Sequence, residues 1–190
     1  MTRTDVLAPR RSKKHSMPLL KHGRIADDPW LLVADDADLP KGPTIVSLER
    51  WQAEREQLQA RNTPLGVQLG SDQPPTLIAD DLNRFGVIAL DFPIFKDGRA
   101  FSYARMLRER YKYEGEVRAV GEVLRDQFLY MHRCGFDAFD VASDNAEEEW
   151  RAALSEVDVF YQPGIAGGPS AIKLRSDPDP RDANTQPTTK

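Results

Sequence analysis

The 190-residue sequence is poor in the residue types that hold metals and covalent cross-links. It has one cysteine, Cys134, and three histidines, His15, His22 and His132. A single cysteine excludes an internal disulfide, a Cys-ligated iron–sulfur cluster held by this chain alone, and a zinc site built on a Cys pair. The three scattered histidines do not replace those ligands. We therefore expect no metal site.

The sequence also lacks long apolar runs and nucleotide-binding loops. No apolar run approaches the roughly 20 residues that cross a bilayer, and the basic start MTRTDVLAPRRSKKHS is not followed by the apolar stretch of a secretory signal. We expect a cytoplasmic protein with no membrane partner. The net charge of −4 argues against general affinity for nucleic acid.

Neither a GxGxxG after a strand nor a GxxxxGK[ST] is present. We therefore expect no NAD, FAD or ATP, and no cofactor at all. A self-contained enzyme is disfavoured, and the sequence assigns no catalytic residue.

Composition divides the chain into one domain with two tails. Residues 1–16 carry five Lys or Arg and almost no large apolar side chains, and residues 176–190 carry three prolines, three aspartates and no large hydrophobe. Such segments bury too little surface to offset the entropy of ordering, so both are predicted to be disordered. Residues 17–175 are predicted to form a single α/β domain.

Within that domain, short β-branched or apolar runs alternate with segments of helical periodicity, a pattern typical of right-handed βαβ units. We expect a mostly parallel sheet of about five strands flanked by helices. The sheet is predicted to be open and doubly wound, because a full eight-unit barrel usually takes roughly 250 residues. The segment KHGRIADDPWLLVAD predicts a small antiparallel hairpin that turns at Asp27, Asp28 and Pro29.

The best-defined part of the pattern is the middle of the chain. VIALDF (87–92), EVRAV (116–120) and AFDV (138–141) are predicted to be parallel strands of one sheet, with helices over 101–112 and 123–133 between them. Ser47 is a plausible N-cap of an earlier helix, and Gly135 is a plausible residue just beyond the end of a later one.

Positive charge is concentrated in this middle part. Between Lys96 and Arg133 there are nine Lys or Arg against six Asp or Glu, although the whole chain is acidic. Ligands of open parallel sheets bind beyond the carboxyl ends of the strands, and Asp91 and Glu122 stand at such ends. The candidates for binding an anion or a partner are Lys96, Asp97, Arg99, Ser102, Arg105, Arg118, Arg125 and Asp126.

Each candidate has a plainer structural explanation. Arg99, just before a predicted helix, could hold a sulfate-, sulfite- or phosphate-sized anion, or it could be a solvated loop residue. Arg118 lies between apolar residues of a predicted strand, where a buried arginine needs a partner such as Asp91 or Asp126. Arg105 and Arg108 share a helix face and are expected to be surface charges. Cys134 is predicted to be a buried structural thiol rather than a nucleophile.

Two long segments, MPLLKHGRIADDPW and ALDFPIFKDGRAFSYARMLRERYKYEGEVRAVGEVLRDQFLYMHRCGFDAF, carry a family resemblance. Over about Met17 to Gln162 the chain resembles an uncharacterised bacterial family of unknown function, labelled an oxidoreductase of sulfite reduction and commonly encoded beside the haemoprotein subunit of assimilatory sulfite reductase. The resemblance implies a role near sulfite reduction without supplying catalytic residues. The family signature corresponds here to Phe95, Asp97, Gly98, Arg99, Ser102, Arg105, Arg118, Gly121, Arg125, Asp126 and Gln127.

Two functions remain open from the sequence. The first is an accessory partner of sulfite reduction that docks on the sulfite reductase haemoprotein through a basic face, which predicts a surface patch without a deep pocket. The second is a small α/β enzyme or binding domain that holds an anionic sulfur or phosphate ligand at the Arg99 loop. It predicts that Asp97, Arg99, Arg118 and Arg125 converge in a concavity.

Overall fold

The computed structural model describes residues 17–157, 159–162, 164, 165, 167, 171 and 175. The tails predicted to be disordered, 1–16 and 176–190, lie outside the described residues, and the domain boundaries stay predictions. The strands are β1 (Leu19–Lys21), β2 (Arg24–Ala26), β3 (Leu31–Leu32), β4 (Thr44–Ser47), β5 (Leu65–Leu69), β6 (Phe85–Phe92), β7 (Glu116–Gly121) and β8 (Ala138–Asp140). The α-helices are α1 (Leu48–Ala53), α2 (Arg55–Gln59), α3 (Arg99–Arg105), α4 (Phe128–Cys134) and α5 (Ala146–Ser155).

All these strands belong to one sheet, in the order β2-β1-β8-β7-β6-β5-β4-β3. Strands β3 to β8 are parallel to one another, and β1 is antiparallel to both β2 and β8. The mixed α/β class, the mostly parallel sheet and the parallel arrangement of β6, β7 and β8 are thus confirmed. The expected count of about five strands was wrong, because the sheet has eight strands within the described residues.

The N-terminal hairpin is confirmed, but its turn is elsewhere. The β1–β2 turn is at His22 and Gly23, which have φ of +49° and +79°, the left-handed conformation that a two-residue hairpin turn requires. The predicted turn at Asp27–Pro29 was wrong. That segment instead leaves β2 and leads to β3 at the opposite edge of the sheet.

This connection shows that the sheet is strongly rolled. Seven strand spacings separate β2 from β3 in the sheet order, which would be about 33 Å in a flat sheet. Only residues 27–30 join the two strands, and five Cα steps reach about 17 Å. The edges must therefore curl toward each other, so the sheet has a concave inner face that residues 27–30 cross.

The helices pack on the outer, convex face. Side chains from β4 to β8 of one parity, such as Val67, Ile88 and Phe139, form one core cluster with helix residues such as Trp51 and Met131. From β3 to β8, each strand lies on the same side of the strand that precedes it in the chain. Right-handed crossovers between such strands put all the connecting helices on one face of the sheet. The doubly wound arrangement predicted from sequence was therefore wrong.

Two predicted helix termini were correct, and one predicted helix start was not. Ser47 caps α1, since its hydroxyl accepts a hydrogen bond from the Arg50 N–H at 3.0 Å, and Gly135 ends α4 with φ of +102°. The helix predicted over 123–133 starts later, as a 3₁₀ turn at Arg125–Gln127 followed by α4. In the described part of the chain, no helix has the length and apolarity to span a bilayer.

Candidate functional site

The concave face of the sheet holds a buried cluster of charges around Arg118. The Arg118 guanidinium donates to both oxygens of Asp28, at 2.7 and 3.1 Å, and its Nε donates to Glu116 Oε1 at 2.8 Å. Asp140 lies 3.9 Å from the guanidinium, and Lys21 donates to Glu116 at 2.7 Å. We call these five residues the interior charge cluster. It confirms that Arg118 needs a partner, but the expected partners, Asp91 and Asp126, were wrong.

The cluster is built by strand periodicity. Glu116 and Arg118 are two apart in β7 and so point to the same face of the sheet, and Arg118 is in register with Ala138 of β8, two residues before Asp140. Only 2% of the Arg118 side chain is exposed. Burial alone would lower its pKa, but the hydrogen bond to Asp28 and the charges of Glu116, Asp28 and Asp140 outweigh it and raise that pKa.

Little space remains beside the interior charge cluster. The cavity beside the cluster is lined by Asp28, Trp30, Gln68, Arg118 and Asp140 among others, and its volume is about 10 Å³, at most the room for one water molecule. Trp30 covers β6 at Gly86, where a Cβ added to the glycine would meet the indole at 3.1 Å. The connection between β2 and β3 therefore packs on the concave face of the sheet, against β6 and β7.

The carboxyl ends of the strands carry the predicted Asp97–Arg99 loop. Arg99 donates from Nε and Nη2 to the two oxygens of Asp97, at 2.9 and 2.6 Å, and from Nη2 to Ser71 Oγ at 2.8 Å. This hydrogen-bonded pair holds the pKa of Asp97 well below its usual range and raises that of Arg99. The Asp97 carboxylate thus balances the charge of Arg99, and an anion bound there would compete with Asp97.

The loops after β6 and β7 are tied together at this end. Glu122 N–H donates to Phe92 O at 2.8 Å, and Phe95 N–H donates to Glu122 Oε2 at 2.7 Å. Gly121 has φ of +90°, and a Cβ there would lie 2.5 Å from Phe92 O. The close approach of the two loops at this point therefore requires glycine. Burial, and then the charge of Asp97, raise the pKa of Asp91 on β6.

These joined loops expose apolar side chains. Ile94 is 57% exposed, Phe95 44% and Leu124 46%, and the basic residues Lys96 and Arg125 beside them are exposed as well. We call these five residues the loop surface. Arg125 pairs at 2.8 Å with Glu156, and both side chains are about half exposed, so the pair is weak.

The remaining candidates do not join one cavity. Arg105 pairs with Glu109 on the outer surface at 2.9 Å, while Ser102 and Asp126 are exposed. Arg99, Arg118 and Arg125 each bond to a different carboxylate. The basic residues of the middle part are therefore spread over the interior, the strand ends and the helical surface.

Sequence reasoning missed residues whose buried hydrogen bonds hold the fold together. Arg108, expected at the surface, is mostly buried, donates to Gly135 O at 3.0 Å and Gly115 O at 2.8 Å, and pairs with Asp137. The expectation was wrong because the α3 end, a π-helical turn over Met106–Arg110, faces the β8 connection. The alternation of Glu116 and Arg118 in an apolar strand was the signal that could have revealed a charged inner face. Cys134 is buried, as predicted.

Comparison with known proteins gives one assignment. A family model described as "Bacterial protein of unknown function (DUF934)" matches residues 66–172, which include most of β5, all of β6 to β8 and both joined loops. A comparison with curated proteins found no match. In the described residues, no group of three or more His, Cys, Asp or Glu is arranged to hold a metal ion. Because the matched segment covers more than half of the sequence, the chain belongs to the bacterial family of unknown function DUF934.

Proposed function

We propose that the protein is an accessory partner of assimilatory sulfite reduction, which docks on the haemoprotein subunit of sulfite reductase through the loop surface. The connection to sulfite reduction rests on the family resemblance of the sequence. The choice of a docking protein over a self-contained enzyme rests on the geometry at the carboxyl ends of the strands.

The separate pairing of three candidate arginines is the observation that carries the proposal. Enzymes built on rolled parallel sheets react their substrates among the loops at the carboxyl ends of the strands, and an enzyme for a small anion would need several basic side chains to converge there. Arg99, Arg118 and Arg125 have separate carboxylate partners and do not converge. A surface that binds a macromolecule needs no such convergence.

The loop surface has the composition of a protein interface. Partner-binding patches have an apolar core and are enriched in aromatic and arginine side chains, with polar groups around the apolar anchors. Phe95, Ile94 and Leu124 supply exposed apolar area, and Lys96 and Arg125 add positive charge for an acidic partner surface. Because the Arg125–Glu156 pair is weak, a carboxylate of the partner can readily replace Glu156.

The test is co-purification with apolar anchors removed one at a time. A tagged protein is isolated from bacteria grown on sulfate, and the haem absorbance of the co-purified material is measured. Phe95→Ser and Leu124→Ser should each reduce the recovered haemoprotein by about tenfold, and the wild-type yield should fall with added salt. Ile25→Ser, which removes an equally exposed residue from β2, is the matched control and should leave recovery unchanged.

Two results would reject the proposal. One is wild-type protein that recovers no haemoprotein above the level of a tag-only sample. The other is Phe95→Ser and Leu124→Ser variants that recover as much haemoprotein as the Ile25→Ser control.

A further inference from the structure

A second surface feature, separate from the loop surface, is a cavity between α3 and α4. It has a volume of about 310 Å³ and is lined by Arg105, Tyr130, Arg133, Cys134, Gln162 and neighbouring residues. This volume lies at the lower end of the range for small-molecule sites. It is some thirty times the space left beside the interior charge cluster.

Arg133 is fixed against one wall of this cavity. Its Nη2 donates to Gln162 O at 2.6 Å, and its guanidinium carbon lies 3.8 Å from the centre of the Phe160 ring. Its Nε is buried and has no hydrogen-bond partner among the described residues. The hydrogen bond to Gln162 and the contact with the Phe160 ring hold the guanidinium in place, and the buried Nε without an acceptor is a cost that this arrangement bears.

Arg105 supplies a second, movable guanidinium at the same cavity. Its pair with Glu109 joins two side chains that are each about half exposed. Exposed i,i+4 pairs of this kind are weak, so an incoming anion can replace Glu109 at little cost. Two arginines and one carboxylate leave a net positive cavity.

Two features that would oppose an anion are neutralised. The cavity lies at the carboxyl end of α4, where free carbonyls repel anions, but the carbonyls of Met131, His132 and Arg133 accept hydrogen bonds from Phe136, Gly135 and Ile165. Burial raises the pKa of the Cys134 thiol, against the opposing influence of Tyr130, Arg105 and Arg133. The thiol is therefore uncharged at neutral pH and does not occupy the arginines itself.

We propose that this cavity binds a small oxyanion of sulfur or phosphorus through Arg105 and Arg133. Guanidinium groups match tetrahedral oxyanions by paired, charge-assisted hydrogen bonds. The site is distinct from the Arg99 loop, where Asp97 already occupies the guanidinium. It is also independent of the docking proposal, because neither arginine belongs to the loop surface.

The probes are inorganic sulfate and inorganic phosphate, titrated separately into the full chain at low ionic strength and followed by calorimetry. Saturable binding with a dissociation constant near the millimolar range is expected for at least one of them. Tighter sulfate binding identifies a sulfur oxyanion as the ligand class, and tighter phosphate binding identifies a phosphorylated ligand. Either outcome supports the site.

The variants locate the binding. Arg105→Gln changes a half-exposed side chain, so it should fold normally and weaken binding about tenfold, and Arg133→Lys should weaken it because lysine lacks the fork geometry. Arg125→Gln, which removes the same charge from the loop surface, should bind like wild type. The proposal fails if neither anion binds saturably below about 20 mM, or if Arg105→Gln and Arg125→Gln bind equally well.

Discussion

Replacing Arg118 by Met tests whether the interior charge cluster stabilises the fold. Arg118 is 2% exposed, and it is hydrogen-bonded to Asp28 and Glu116 and close to Asp140. Its removal takes the guanidinium away from Asp28 and Glu116 on the concave face of the sheet. Breaking a buried ion pair in this way costs about 3–5 kcal/mol. For a chain of this size, that loss lowers the melting temperature by about 10 °C.

The assay is urea denaturation near neutral pH, with Arg125→Met as control. The Arg125–Glu156 pair is exposed on both sides, so its loss should cost less than about 1 kcal/mol. In a double-mutant cycle, Asp28→Asn should be less harmful in the Arg118→Met background than in the wild type, because the two residues share one interaction.

A stability deficit of Arg118→Met below about 1 kcal/mol, or one equal to that of Arg125→Met, would refute the reasoning and indicate a hydrated, loosely held arginine.

Three further predictions concern the loops and the helix ends. Gly121→Ala should lose about 2 kcal/mol or more in urea denaturation, because φ is +90° and the new methyl group meets backbone; Gly42→Ala, in open space, should change stability little. Arg108→Met should lower the free energy of unfolding by about 3 kcal/mol, because the carbonyls of Gly135 and Gly115 and the Asp137 carboxylate lose their donor. A loss as small as that of an exposed arginine would contradict this. The carboxyl carbon of Asp97 should titrate by NMR at a lower pH than that of an ordinary aspartate, because hydrogen bonds from Arg99 and Ser71 lower its pKa, and in Arg99→Ala its midpoint should move up toward the ordinary value of about 3.9. Stability from this pair is thus present at neutral pH and lost only in strong acid.

Local sequence signals were sufficient for the central strands and for the class of fold. VIALDF and EVRAV are apolar runs of strand length bounded by turn residues, and both became parallel strands of one sheet. Ser47 and Gly135 were read correctly because a cap depends on a few neighbouring backbone groups. These assignments need only information within about ten residues of each position.

The interior charge cluster could not be read in the same way. Asp28 and Arg118 are 90 residues apart in sequence, and the sequence places no constraint on which of the many acidic residues reaches the arginine. Their pairing follows from the rolling of the sheet, which brings the β2–β3 connection across β7. For the same reason the sequence left Asp91 and Asp126 as candidate partners.

What the sequence determined by itself is the alternation of strands and helices, the parallel β6–β7–β8 unit and the positive charge of its middle part. Tertiary structure alone decided which of those arginines are inside, which are paired at the strand ends and which line the cavity between α3 and α4. Backbone conformation is set largely by local sterics and periodicity, whereas burial and charge pairing depend on the position of every strand in the sheet. The functional surfaces are therefore a property of the rolled sheet, although the residues that form them are visible in the chain.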